Sequence, residues 1–190
     1  MLPVYFRNRS IRMRRKSHIC LGNYLIDQYM LSAKKWHRRM FLFGCVQPDM
    51  NPLTYLKGSL RARWLCGHHY PNAKPFMERI SQRLERRKQL HIMDYYTLGK
   101  LIHYTADAFT YAHNDTFPGS LSGHRNYEKE LQYLFLSYLY QNPRADCFSH
   151  LSIIEVIRAN HREYSSRNQN APMDCLFTLQ TSCCIMSQLF

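Results

Sequence analysis

Apolar residues recur at helical spacing along nearly the whole chain, and the strict alternation that is typical of strands is absent. The repeats begin after Ser17, a candidate helix N-cap. They include Leu21, Leu25 and Tyr29; residues 36–45; Leu53, Leu56, Leu60 and Trp64; Phe76, Ile80 and Leu84; residues 93–112; Tyr127, Leu131, Leu134 and Tyr138; Ile153, Ile154 and Ile157; and Leu176, Leu179, Cys183 and Met186. Loops are predicted at residues 47–52, 67–75, 117–123 and 168–172. We therefore predict one all-α domain, a single bundle of about seven or eight helices.

The composition is that of a folded protein with a strong basic excess. The chain has 190 residues, 45% of them hydrophobic, which suits one domain with a substantial core. Lys and Arg number 26 against 13 acidic residues, so the net charge is +13 and anionic partners are favoured. Residues 1–16 carry basic side chains and no acidic one. We predict a basic N-terminal tail at residues 1–16 and the helical domain at residues 17–190.

From the sequence we expect neither a secretory signal peptide nor a transmembrane segment. The basic start is not followed by an apolar stretch, and no apolar run is long enough to cross a bilayer. The seven Cys form no Cys-x-x-Cys motif and their number is odd. We interpret them as free thiols in a reducing compartment. The expectation is a cytoplasmic or leaderless protein.

The residues most suggestive of chemistry are two pairs of His and carboxylate. His103 and Asp107 are four residues apart, as are His124 and Glu128, so each pair shares one face of a helix. His113 lies between the pairs. On an ideal helix it is turned about 80° away from His103, so it serves a neighbouring metal site or follows a local kink.

Two such pairs with a further His predict a multinuclear metal site between helices. Neutral imidazole and carboxylate are zinc ligands. Clustered zinc ions suit the hydrolysis of phosphate esters, because one ion activates water while others neutralise the phosphate and leaving oxygens.

The order His103-x3-Asp107-x5-His113, then a loop, then His124-x3-Glu128 resembles the bacterial zinc-dependent phospholipase C family. Fungal single-strand nucleases share the superfamily but usually have Asp in the last position. Upstream segments are similar to the family pattern as well. They are Phe43-Gly44-Cys45-Val46-Gln47-Pro48-Asp49, Gly67-His68-His69-Tyr70-Pro71, and His18 at the start of the first helix.

The resemblance implies a ligand set for two or three zinc ions. One ion is held by Asp49, His68, His103 and Asp107, a second by His113, His124 and Glu128, and a third by His18 with Asp107 as the bridge. His69 is the alternative to His68. Asp49 is also implied as the catalytic residue that orients or deprotonates the attacking water, since a carboxylate beside zinc stays charged.

One departure concerns the third ion. Secreted members of the family begin with a Trp whose amino group and carbonyl complete that site, and here no Trp precedes Trp36. Either the site is filled otherwise or the enzyme runs on two metals.

The implied function is a zinc-dependent phosphodiester hydrolase of the phospholipase C type acting on phospholipid, with peripheral contact to anionic membrane. The alternatives are a metal-dependent nuclease on the same scaffold and a non-catalytic zinc or anionic-membrane binding module. Residues 79–88 form a basic helix face that is either solvated or turned towards an anionic partner.

Overall fold

The architecture is given by a computed structural model, which describes residues 9–50, 69–114, 117–118, 121–142, 147 and 150–190; for residues 9–14, Leu121 and Arg125 it describes only the backbone. Seven α-helices are seen there: α1 Arg9–Tyr29, α2 Lys35–Met50, α3 Tyr70–Glu85, α4 Ile92–Ala108, α5 Leu121–Gln141, α6 Ile153–Ser166 and α7 Ala171–Ser187. A short 3-10 turn, Tyr111–His113, lies between α4 and α5. The described residues contain no strand, and the all-α prediction is confirmed.

Helix α4 forms the centre of the bundle. Most of its length is buried, from Asp94 through Ala108. It packs against α2, α3, α7 and α1, while α5 packs on α1 and α7. One large cluster of buried side chains, including Leu25, Leu98 and Ile157, joins these helices into a single core.

Several helix boundaries differ from those predicted. Helix α1 begins at Arg9, so the second half of the basic segment is helical and Ser17 lies inside the helix. Helix α2 runs through Gly44 and Pro48 to Met50 instead of ending near Gly44. Helix α3 begins at Tyr70. The predicted segment 53–64 lies outside the described residues.

Gly44 belongs inside α2 because it meets Gly99 of α4 where the two helices cross. A Cβ on Gly44 would collide with the carbonyl oxygen of Tyr96, and one on Gly99 would collide with that of Phe41. Two glycines therefore let the two backbones touch. A residue that looks like a helix end in the sequence is a helix contact in the structure.

The expectation of free thiols is wrong for two cysteines. Cys147 and Cys184 form a disulfide that tethers the segment after α5 to α7. Cys20, Cys45, Cys175 and Cys183 form no disulfide among the described residues. The pairing was invisible in the sequence because 37 residues separate its partners and neither lies in a recognisable motif. Among the described helices we find no candidate for a membrane-spanning segment.

Candidate metal centre

Helices α1, α2 and α4 bring together the first group of metal-binding side chains. His18, Asp49 and His103 offer ligand atoms that all lie within 4.8 Å of one another. His18 Nε2 is 4.0 Å from Asp49 Oδ2, and His103 Nε2 is 3.7 Å from Asp49 Oδ1. The imidazoles of His18 and His103 stack at 3.9 Å between centroids. Three residues that are distant in sequence therefore converge on one point.

A backbone contact fixes which nitrogen of His103 faces this point. Its Nδ1 lies 2.8 Å from the carbonyl oxygen of Cys45. A carbonyl can only accept, so Nδ1 carries the proton and donates it. Nε2 is then the nitrogen with a lone pair, and it faces Asp49 and Asp107. An outer partner of this kind is usual for a metal-binding His.

Asp107 connects the first group to a second. Its carboxylate lies 3.1 Å from His103 Nε2, 3.5 Å from His18 Nε2 and 3.3 Å from His113 Nδ1. Burial disfavours its charged form, but the imidazoles of His103 and His113 hold the pKa of Asp107 well below its usual value. The carboxylate is thus a buried anion shared by three imidazoles.

The second group is formed by His113, His124 and Glu128. Glu128 Oε1 is 3.0 Å from His124 Nε2, one helical turn away, and 3.3 Å from His113 Nε2. His113 reaches it because α4 ends at Ala108 and the chain turns into the 3-10 segment. Both alternatives for His113 apply, because the helix breaks before it and it lies in the second group of candidate ligands.

The donor atoms are spaced as zinc requires. Zn–N and Zn–O bonds of about 2.0–2.2 Å place tetrahedral ligand atoms about 3.3–3.6 Å apart. The distances from imidazole nitrogen to carboxylate oxygen among these residues and Asp107 are 3.0–4.0 Å and fall around this value. Each group offers three protein ligands, which matches catalytic zinc sites that leave a position for water. The residues fit zinc.

The sequence pattern did not indicate one residue that lies at this candidate site. Asp174 of α7 lines the same cavity as His18, Asp107, His113 and Glu128. It is 1% exposed. A lone carboxylate on an apolar helix gives no local signal, because every partner it has comes from another element.

Asp174 accepts three hydrogen bonds from the elements around the second group. The hydroxyls of Tyr164 and Tyr127 donate at 2.6 and 2.7 Å, and the backbone N–H of Tyr111 donates at 2.9 Å. Tyr127 precedes Glu128, and Tyr111 begins the turn that carries His113. Burial outweighs these bonds and raises the pKa of Asp174 to about 6.

Three predicted ligands, His68, His69 and His18, differ from the expected arrangement or are not described by the structure. His68 lies outside the described residues. His69 is the N-cap of α3 and belongs to neither of the two described groups. His18, implied as a ligand of a separate third ion, lies with Asp49 and His103 and near Asp107.

Comparison with known proteins agrees with this geometry. The model of the zinc-dependent phospholipase C family matches residues 17–174, which is most of the chain. No curated protein and no solved structure matches it. The matched span begins beside His18 and ends at Asp174, so it contains both described groups.

Proposed function

Because this chain belongs to the zinc-dependent phospholipase C family, we propose that it is a phosphodiester hydrolase that cleaves phospholipid into diacylglycerol and a phosphorylated headgroup. Family membership supports a zinc hydrolase of the phospholipase C type in general. The observation that carries the proposal is Asp107, one buried carboxylate in contact with His18, His103 and His113. It joins two donor groups into a single centre.

The ligands are assigned from these contacts. Asp49, His103, Asp107 and His18 would hold metal on the side of α1 and α2, and His113, His124 and Glu128 would hold it on the side of α5. When bound, zinc supplies Lewis acidity that favours hydroxide over water and neutralises phosphate oxygens. We assign His68 to the first side from the family pattern alone.

Asp49 is the proposed general base. Its carboxylate lies between His18 and His103, at the end of α2. It would orient the attacking water and accept its proton as the oxygen adds to phosphorus. The bond from phosphorus to the glycerol oxygen then breaks, and that oxygen takes up a proton.

A nuclease activity is the second candidate. The observation that favours it is the net charge of +13, which would attract a polyphosphate backbone as readily as anionic lipid. The same donor groups would serve this chemistry, so the ligand set does not separate the two. A zinc or membrane-binding module without activity is the third candidate.

Metal content and substrate choice test these proposals together. We expect two or three zinc ions per chain by elemental mass spectrometry, and zinc-dependent release of diacylglycerol from phosphatidylcholine. Asp107→Asn should lose both, whereas Asp27→Asn, an exposed carboxylate of α1, should keep both. Release of nucleotides from single-stranded DNA with the lipid intact would favour the nuclease, and bound zinc without turnover would favour the binding module.

A further inference from the structure

The turn between α1 and α2, with the first half of α2, exposes large apolar side chains in the described part of the molecule. Leu31 is 73% exposed, Trp36 65% and Phe43 46%. Most exposed apolar residues in proteins stand singly, but these three lie within 13 residues of one connected segment. These three residues, together with Lys34, Lys35 and Arg39, form a surface that we call the α2 face.

The α2 face is strongly basic. Lys34, Lys35 and Arg39 are exposed, and residues 28–48 contain no acidic residue. The Arg39 guanidinium lies 5.0 Å from the centre of the Trp36 ring, so its charge sits over the aromatic plane. Apolar side chains with an adjacent cationic rim are typical of helices that lie in a membrane interface.

The apolar tip of this face is held in place by Arg38. Its guanidinium donates to the backbone carbonyls of Ala33 and Leu31, at 3.1 Å to Ala33. These bonds close the turn and fix the backbone that carries Leu31. The surface is therefore formed before any partner binds, which lowers the entropic cost of docking.

The α2 face leads towards the metal centre. Trp36, Phe43 and Met50 follow one another at intervals of seven residues, so they form one stripe along α2. Met50 is 50% exposed and is the neighbour of Asp49, the proposed base. A partner that covers this stripe would reach the end of α2 that carries Asp49.

From these observations we propose that the α2 face docks the protein on anionic phospholipid bilayers. This inference rests on the proposed function, because docking on a bilayer would bring the protein to its proposed phospholipid substrate. Basic side chains contact the headgroups while Leu31, Trp36 and Phe43 enter the acyl boundary. Nucleic acid is the weaker partner, because an aliphatic side chain such as Leu31 offers a base no stacking surface.

The basic face of α3 is a poorer candidate for the same role. Arg83 donates to Asp94 at 2.9 Å, and Arg87 lies 3.4 Å from the same carboxylate. Asp94 in turn caps the start of α4. These charges are used to join α3 to α4.

Vesicle binding of the zinc-loaded full chain tests the proposal. The probes are vesicles of phosphatidylcholine mixed with phosphatidylglycerol, beside pure phosphatidylcholine, assayed by sedimentation. Lys34→Gln with Lys35→Gln should weaken binding to the mixed vesicles about 25-fold, because each basic residue near the surface is worth about a factor of five. Leu31→Ser with Trp36→Ser should weaken it about tenfold or more through lost apolar burial.

The control is Tyr133→Ser with Tyr140→Ser on α5, a pair of large side chains at least as exposed as Leu31 and Trp36, with 73% and 94% exposure. It should bind like the native protein. Emission of Trp36 should shift to the blue on the mixed vesicles, and the shift should vanish in Trp36→Phe, which leaves Trp64 as the other Trp.

Four outcomes would overturn the docking surface. They are no binding by the native protein, equal losses in the control, unchanged binding in both α2-face variants, and loss in the lysine variant alone. The last result, with matching loss of single-stranded DNA binding, indicates a nucleic-acid surface. A lower unfolding midpoint only in the Leu31 and Trp36 variant indicates that the face packs on this chain.

Hydrolysis of a water-soluble phosphodiester separates this inference from the proposed function. The α2-face variants should keep native turnover of that substrate and native zinc content, because none of the changed residues is a proposed ligand. Vesicle binding without any turnover would leave the docking surface standing and reject the hydrolase.

Discussion

Replacing Asp174 should loosen the second group of candidate metal ligands, which is His113, His124 and Glu128, without removing any of them. The carboxylate ties α7 to the turn that carries His113, through the Tyr111 N–H, and to α5, through the Tyr127 hydroxyl. Tyr164 adds a bond from α6. We choose Asp174→Ala, which removes all three acceptor contacts, and Asp174→Asn, which preserves the shape of the side chain.

The size of the effect follows from the buried donors. Asp174→Ala leaves two hydroxyls and one N–H without their acceptor, and each such loss costs about 1 kcal/mol or more, so about 3 kcal/mol is expected near pH 4 and less at neutral pH, where the buried carboxylate is charged. Asp174→Asn keeps an oxygen for the Tyr111 N–H and should cost about 1 kcal/mol. The resulting freedom of His113 should weaken zinc binding by about 10–100-fold, as loss of an outer-shell partner does elsewhere.

The pH dependence has a definite sign. Burial raises the pKa of Asp174 from 3.8 to about 6, so the folded protein holds this proton more tightly than the unfolded chain. The contribution of Asp174 to stability is therefore fully present below about pH 4, falls between about pH 4 and 6, and stays low above that. The pKa difference corresponds to about 3 kcal/mol. Asp174→Asn, which has no proton to release there, should lack this part of the pH profile.

Urea unfolding of the zinc-free proteins from pH 4 to 7 measures the stability terms, and equilibrium titration with zinc measures affinity. Asp27→Asn, on the exposed side of α1, is the control and should change neither. The reasoning is refuted if Asp174→Ala unfolds at the native midpoint and binds zinc as tightly as the native protein. A parallel fall in stability for Asp174→Asn and native protein as pH rises would refute the assignment of the titrating group.

Three further predictions concern other parts of the fold. Asp107→Asn should lose zinc from both groups, because it replaces the charge shared by three imidazoles; full zinc occupancy by elemental mass spectrometry would contradict the bridge. Gly99→Ala should cost about 1–3 kcal/mol or more, because its Cβ collides with the Phe41 carbonyl, and a native melting temperature would contradict the tight crossing. Cys147→Ser should lower the unfolding free energy by up to about 4 kcal/mol, which is the loop entropy for a separation of 37 residues. Reduction of the native protein should lower its unfolding free energy by the same amount, and reduction of the variant should not change it.

The parts of the site that the sequence predicts are those fixed by local geometry. His103 with Asp107, and His124 with Glu128, are brought together by one turn of helix, so their spacing alone indicates a shared face. Asp174 is different, because its partners Tyr111 and Tyr127 are 63 and 47 residues away. Only tertiary packing creates its hydrogen bonds.

The predicted helix boundaries are wrong where tertiary packing overrides the local preference of the chain for helix. Gly44 is a reasonable helix end in isolation, yet α2 continues through it because the crossing with α4 needs a residue without a side chain. The reverse holds at residues 109–112, where the apolar pattern predicts a continuing helix. There the chain leaves the helix, and the Tyr111 N–H that an α-helix would use internally donates to Asp174 instead.

The glycine crossing links the core of the fold to the arrangement of the metal centre. Contact between the α2 and α4 backbones at Gly44 and Gly99 brings the Cys45 carbonyl to 2.8 Å from His103 Nδ1. That bond sets the tautomer of His103, and one turn further along α2 the same approach brings Asp49 to within 3.7 Å of His103 Nε2. A wider crossing would break the carbonyl contact and separate Asp49 from His103 together. Gly44 and Gly99, which have no functional group, therefore control the positions of Asp49, the proposed base, and His103, a proposed ligand. A packing change at Gly99 is for this reason expected to change zinc binding as well as stability.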